Sequence, residues 1–147
     1  MATKNNIVDI DLSVTKKKQF RIDKDDTRVI ELNTSDMNIL SRLYDCYPKL
    51  DELGVKAVKI SSDNPEETVA TLKEIDKEMR DLLNFVFDSD IADVCAPDGS
   101  MFDMFLGEFR FEHILDTLLT LYENNINKEY KLMAKNIKKH TDKYAGK

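Results

Sequence analysis

The sequence predicts an α+β fold that is mainly helical: a small N-terminal antiparallel β-hairpin or sheet, then several helices including a long C-terminal one. Three observations carry that expectation. Only 4 Gly and 3 Pro occur in 147 residues, which favours long regular elements over a loop-rich chain. Apolar residues alternate at period two near the start and recur at three- and four-residue steps later. The stretch from Glu108 to Tyr144 keeps a helical pattern without a Pro or Gly. The length suits one domain with a real core, and no repeat, low-complexity segment or clear linker divides it. The expected organisation is 1–33 as the small sheet, 34–127 as the helical body and 128–147 as a basic helical tail.

Taken in order, Val8, Ile10, Leu12 and Val14 alternate with Asp9, Asp11 and Ser13, the period of a half-buried strand. Gln19-Phe20-Arg21-Ile22 and Arg28-Val29-Ile30-Glu31-Leu32 flank the polar cluster Asp23 to Thr27, so they should pair as a hairpin, with the first run a candidate third strand. Thr34-Ser35-Asp36 signals a helix start, and Met37, Leu40, Leu43, Tyr44 and Tyr47 supply its apolar steps. Pro48 should kink or break that helix, and Gly54 should cap it. Val55 to Asp63 reads either as an edge strand or as a segment draped over the core.

Asn64-Pro65-Glu66-Glu67 is the clearest local signal: a capping residue, Pro at the first helical position and acids in the first turn. The helix it opens carries the stripe Val69, Leu72, Ile75, Met79, Leu82, Leu83 and Val86. Ser89-Asp90 should cap a short turn through Val94, and Ala96-Pro97-Asp98-Gly99 has the residue order of a type I turn. The last helix has the stripe Phe111, Ile114, Leu115, Leu118, Tyr122, Ile126, Tyr130, Met133 and Ile137. At roughly 36 residues it would be about 54 Å long. A compact domain of this size is about 40 Å across, so the end of the helix should project, bend or dock on a partner.

The net charge of −6 is unevenly spread. From Lys128 onward seven lysines face Glu129 and Asp142, a balance of +5 that leaves −11 on the preceding 127 residues. Phosphates would repel so acidic a body, so nucleic acid is an unlikely main partner. Lysines near a helix C-terminus suit the negative end of its dipole. No apolar run is long enough to span a membrane. Met1 to Asn6 contains no apolar signal core, so the expected location is the cytoplasm. Cys46 and Cys95 lack a CxxC partner, fit a reducing compartment and read as packing residues.

Little in the sequence points to catalysis, and the expectation is a protein that is not an enzyme and needs no cofactor or metal. His113 and His140 lie far apart and neither belongs to a metal-ligand pair. No glycine cluster is present to cradle a phosphate. Asp23, Asp25 and Thr27 match the first ligand spacings of a calcium-binding EF-hand loop. However, Arg28 stands where that loop needs Gly, and Thr34 where it needs Glu, so turn chemistry explains them better. Asp88 and Asp90 read likewise as turn and cap residues. The segment Pro97 to Gly107 is unusual because it is loop-like yet places Met101, Phe102, Met104, Phe105 and Leu106 within six positions. It is either a loop tucked over the core or an adaptable surface that re-packs on an apolar partner.

Two stretches carry a resemblance. Arg28-Val29-Ile30-Glu31-Leu32-Asn33-Thr34-Ser35-Asp36-Met37 is the first. The second is Val94-Cys95-Ala96-Pro97-Asp98-Gly99-Ser100-Met101, continuing into Phe109-Arg110-Phe111-Glu112-His113-Ile114. Together, over roughly residues 18–130, they resemble a family of small proteins from the tail modules of phages and prophages of Gram-positive bacteria. The resemblance implies a tail-assembly chaperone in the host cytoplasm, which holds the tape-measure protein before the tail tube polymerises around it. It also implies a cofactor-free protein that tends to self-associate and that can exist in a longer frameshifted form. An N-terminal sheet departs from the all-helical picture of such chaperones. The expected partner surface comprises Met101, Phe102, Met104, Phe105, Tyr122, Ile126, Tyr130, Met133 and Ile137, with the tail helix aiding oligomerisation. Two other readings stand beside it: a structural tail or connector component of the virion, and a regulatory nucleic-acid-binding protein using the basic C-terminal helix.

Overall fold

Backbone pairing starts at the hairpin. A computed structural model describes residues 6–12, 17–60 and 63–144, the side chains of 140 and 142–144 excepted. In it β1 (Lys18–Arg21) and β2 (Val29–Leu32) pair antiparallel, with Phe20 opposite Ile30 and Lys18 opposite Leu32. The two-residue period puts Ile30 and Leu32 in the core and leaves Val29 and Glu31 outside. The connecting turn uses left-handed backbone at Asp23 and Lys24. Among the described residues the candidate third strand does not form. Residues 7–12 carry no strand, and Ile7, Val8, Ile10 and Leu12 are 78–82% exposed; Val14 lies outside the described residues. Alternation makes a strand only where an edge is there to pair with it.

Helix α1 (Asn38–Val58) begins beyond the expected cap. Asp36 Oδ1 accepts from the Asn38 N–H at 2.9 Å and Asn33 Oδ1 from the Ser35 N–H at 3.1 Å, so these residues build the turn before the helix. The helix then passes through both expected breaks. Pro48 sits inside it, on the exposed side; Tyr44, whose carbonyl loses its usual donor, is exposed too, so water can take the donor's place. Gly54 lies in the helix interior, and the helix ends at Lys59 instead, so Val55 to Val58 is neither an edge strand nor a drape. The face also differs from the one expected. Ile39, Leu43, Cys46 and Leu53 are buried, whereas Met37, Leu40, Tyr44 and Tyr47 are exposed.

Helix α2 (Pro65–Phe87) starts as its sequence requires, with Asn64 accepting from the Glu67 N–H at 3.1 Å and Pro65 in the first turn. It buries Ile75, Met79, Leu83 and Val86, while Val69 remains exposed. Arg42 donates to the Val86 carbonyl at 2.9 Å and Lys49 meets Glu78 at 3.4 Å, so α1 and α2 form an antiparallel pair. Asp88, in left-handed conformation, closes α2. The one-turn helix α3 (Ala92–Cys95) is not capped by Ser89 or Asp90. Its first N–H groups are taken by Asn84 Oδ1, which accepts from Ile91 and Ala92 at 2.8 and 2.9 Å.

A second hairpin follows, β3 (Met104–Phe105) with β4 (Glu108–Phe109), and leads directly into α4 (Arg110–Tyr144). The 35 residues of α4 make it about 52 Å long. Phe111, Leu118 and Tyr122 enter one core with Ile30, Ile39, Leu53, Ile75, Leu83 and Met101. The helix leaves the body after Asn125, whose amide donates to the Thr34 carbonyl at 3.0 Å, and the half-buried Ile126. From 127 to 139 every side chain is exposed. Within one copy of the chain this end of the helix projects from the body. The architecture is thus α+β and mainly helical, with two small hairpins and a helical body.

Gly54 offers a test of α1's continuity. A Cβ built there meets nothing within 4 Å, and Ala is better than Gly in a helix interior by about 0.5–1 kcal/mol. Gly54→Ala should therefore raise the thermal midpoint, by roughly 2–4 °C, in a calorimetric scan. A helix that ended at Gly54 in a left-handed cap would instead be destabilised by the same change.

Candidate functional site

Two residues one turn apart on α2, Asp76 and Arg80, fix the chain that follows α3. Their side chains pair at 2.9 Å and are mostly buried. Arg80 also donates to the Ala96 carbonyl at 2.8 Å and the Gly99 carbonyl at 3.2 Å, and pairs with Asp93 at 2.9 Å. Burial disfavours its charge, but these carboxylate partners outweigh that and hold the guanidinium above its ordinary value. Asp76 uses its other oxygen to accept from the Met101 N–H at 2.7 Å. From the opposite side, Arg28 donates to the Val94 and Cys95 carbonyls at 3.0 and 3.1 Å. Gly99 takes a left-handed φ of +77°, which favours Gly, and a Cβ there would stand 2.5 Å from Asp103 Oδ2.

The strapped loop delivers the β3–β4 hairpin to the start of α4. The Arg110 and Phe111 N–H groups donate to the Asp103 and Met101 carbonyls, both at 2.8 Å, and Glu112 accepts from the Phe109 N–H. The first two free N–H groups of the helix start are thereby engaged. Leu106 and Gly107 form the hairpin's two-residue turn with φ of +51° and +83°, as a type I′ connection needs. Asn or Asp followed by Gly is the usual choice for such a turn; Leu106 is instead a strained residue, 94% exposed.

Beside this lip runs a groove of about 460 Å³ between the first hairpin and α4. Phe20 and Ile22 line one wall and Ile114, Leu118 and Leu121 the other, and Phe105 of the lip also lines it. Phe105 is set edge-on to His113, with centroids 5.1 Å apart. Arg21, Asp23 and Arg110 form a charged margin, and Cys95 also lines the groove. A second hollow, of about 670 Å³, lies where α1 ends and α2 begins, lined by residues such as Lys56, Lys59, Asn64 and Glu67. Those side chains belong to helix ends and caps and converge on no common chemistry.

The structure splits the residues expected to bind a partner into four groups. Met101 and Tyr122 belong to the core: Met101 is fully buried, and Tyr122 is buried with its hydroxyl 3.6 Å from Met37 Sδ. These two are packing residues and not an accessible surface. Phe102 and Ile126 are half-buried. Met104 and Phe105 are exposed on the lip. Tyr130, Met133 and Ile137 are 52, 53 and 61% exposed on the projecting part of α4. The lip and the tail lie about 30 Å apart along that helix, so they form separate surfaces. Sequence reasoning missed the groove wall from β1 and the open face of α1. The apolar steps Met37, Leu40, Tyr44 and Tyr47, beside the buried Ile39, Leu43, Cys46 and Leu53, are the signal for the latter.

The acids of the first hairpin turn are engaged within it. Asp25 accepts from the Thr27 hydroxyl and N–H, which hold its carboxyl below the usual range, and Asp23 pairs with Arg28 at 3.0 Å. Among the described residues no group of three or more His, Cys, Asp or Glu is placed to hold a metal ion, and no helix is long and apolar enough to cross a membrane. His113 lies 3.4 Å from Glu108; the side chain of His140 lies outside the described residues. Burial pushes the Cys95 thiol up to about 11, so at neutral pH it carries no thiolate for nucleophilic attack.

The raised thiol has a pH consequence. A group whose folded value exceeds its unfolded one contributes stability that is complete below the unfolded value, here 9.0, and is lost as pH rises through about 11. Replacing Cys95 with Ala removes that contribution. Denaturant midpoints measured across this range should therefore fall less steeply for Cys95→Ala than for the wild type; equal slopes would place the thiol in water. Compared with known proteins, the chain matches no family model, no curated protein and no solved structure.

Proposed function

We propose that the chain is a tail-assembly chaperone that holds an apolar helical segment of a phage tape-measure protein. The segment lies in the groove between the first hairpin and α4, with the β3–β4 lip against it. The observation that carries this reading is Leu106. A large apolar side chain stands almost wholly in water, in a backbone conformation that costs such a residue about 1–2 kcal/mol. A position of this kind persists where it serves contact with something outside the fold. Next to it, Met104 adds a flexible apolar side chain and Phe105 a ring that joins the lip to the groove. The groove's apolar walls suit the face of an amphipathic helix. The sequence resemblance supplies the identity of the client.

Co-expression with the tape-measure candidate of the same genome tests the reading. The client should be soluble in a stable complex and insoluble alone. No complex, together with this chain found in purified virions, would support a structural tail component instead. Leu106→Asn gives a sharper test, because Asn tolerates left-handed backbone. The variant should melt at or above the wild-type temperature and yet keep less client in solution. Unchanged client solubility with Leu106→Asn and Phe105→Asp together would exclude the lip as the contact.

A further inference from the structure

From 127 to 139 the side chains of α4 are all exposed, yet they are sorted by chemistry. Tyr130, Met133 and Ile137 continue the line of the half-buried Ile126 at four-, three- and four-residue steps, so they form one apolar row in water. Five lysines stand against the single acid Glu129 in the same stretch. Lys131 and Lys138 directly follow Tyr130 and Ile137, about 100° further round the helix, and flank the row. Lys128, Lys135 and Lys139 lie on the far side.

That arrangement discriminates between partners. The row calls for an apolar phase and the lysines for anions, on opposite sides of one helix. Nucleic acid would take up the lysines and leave the row in water. Another helix packed on the row would leave the far-side lysines without partners. A lipid surface meets both demands. An amphipathic helix lies in the plane of the bilayer with its apolar face about 5–10 Å deep. Its diameter is about 10–12 Å, so the rest of its girth stays among the headgroups. Tyr130, with an apolar ring and a polar tip, suits that boundary. The acidic body does not prevent the approach. Residues 127–144 span about 27 Å, several times the Debye length of about 8 Å at physiological salt. The helix is also already formed, as the continuation of the half of α4 packed in the core, so little order has to be gained on the surface.

We propose that the projecting part of α4 binds the surface of an anionic phospholipid membrane. It lies in the membrane plane with Tyr130, Met133 and Ile137 toward the acyl chains and the lysines among the phosphates. The contact is peripheral, since no described helix is long and apolar enough to cross a membrane. Three apolar side chains bury too little to anchor the chain alone, so attachment is reversible and depends on the lipid charge. Neither the groove nor the lip takes part, and the inference stands apart from the client reading, so either can fail without the other.

Sedimentation of the purified full chain with unilamellar vesicles is the test. The chain should partition onto vesicles of phosphatidylglycerol and phosphatidylcholine in equal parts. Partition should fall at least tenfold on pure phosphatidylcholine vesicles, and likewise in about 1 M salt. Met133→Gln with Ile137→Gln should also lower it at least tenfold, with helicity unchanged, because both side chains are in water and Gln is a good helix former. Lys131→Gln, Lys135→Gln and Lys138→Gln together should do the same from the charged side. A chain that stays in solution beside anionic vesicles overturns the proposal. So does vesicle binding that the Met133 and Ile137 variant retains in full, because the lysines alone then account for it. Duplex DNA bound equally well by the wild type and that variant, with no vesicle binding, would mark nucleic acid as the partner instead.

Discussion

The ion pair between Asp76 and Arg80 on α2 determines where the second half of the molecule goes. A guanidinium with little access to water must find acceptors for its N–H groups, and around Arg80 these are Asp76, Asp93 and the carbonyls of Ala96 and Gly99. A segment with almost no regular structure of its own is thereby tied at both ends to a helix already fixed in the core. With that segment placed, Met101 has one buried position available, and α4 starts where the Met101 and Asp103 carbonyls meet its first N–H groups. The same logic recurs elsewhere. Arg28 holds the end of α3, Arg42 the end of α2, and Arg110 donates to the Asp98 carbonyl, so every arginine except Arg21 serves backbone carbonyls. Arginine suits this task because its planar fork reaches several acceptors at once.

This scaffold allows apolar side chains to be held in water. Burial of Leu106, Met104 or the open row of α1 would favour collapse onto the body, yet each sits on an element that is anchored elsewhere. The lip is anchored by the loop behind it and by the start of α4. The α1 row is anchored by its own buried face, and the tail by the continuity of α4. Surfaces of this type reduce solubility, and the −6 net charge with its dense charged residues offsets that tendency.

Much of the fold was legible because local chemistry and tertiary packing agreed. The Asn64-Pro65 start of α2, the hairpin around Asp23 to Thr27 and the long α4 all follow from signals that need no knowledge of neighbours. Misreadings arose where context decides. Pro48 and Gly54 are helix breakers by propensity, but the packing of Ile39, Leu43 and Leu53 carries α1 through both. The alternation of Val8, Ile10 and Leu12 found no edge to pair with. The candidate site was half legible. Met104 and Phe105 are surface residues in the structure, whereas Met101, three positions earlier, is core, and no period distinguishes them because the Asp76 contact decides which is buried. The α1 row was visible as a pattern but not as a surface, since two apolar stripes on one helix do not say which faces inward.

In the proposed complex the lip and the adjoining groove hold an apolar helix. Hydrogen exchange of the chain alone and in complex with a tape-measure segment addresses it most directly. Residues 104–109 and the first hairpin lie at the contact, and as short hairpins their amides should open readily in the free chain. Binding should slow exchange there selectively, with little change in the middle of α2. A stable complex that leaves residues 104–109 exchanging as in the free chain would contradict the account.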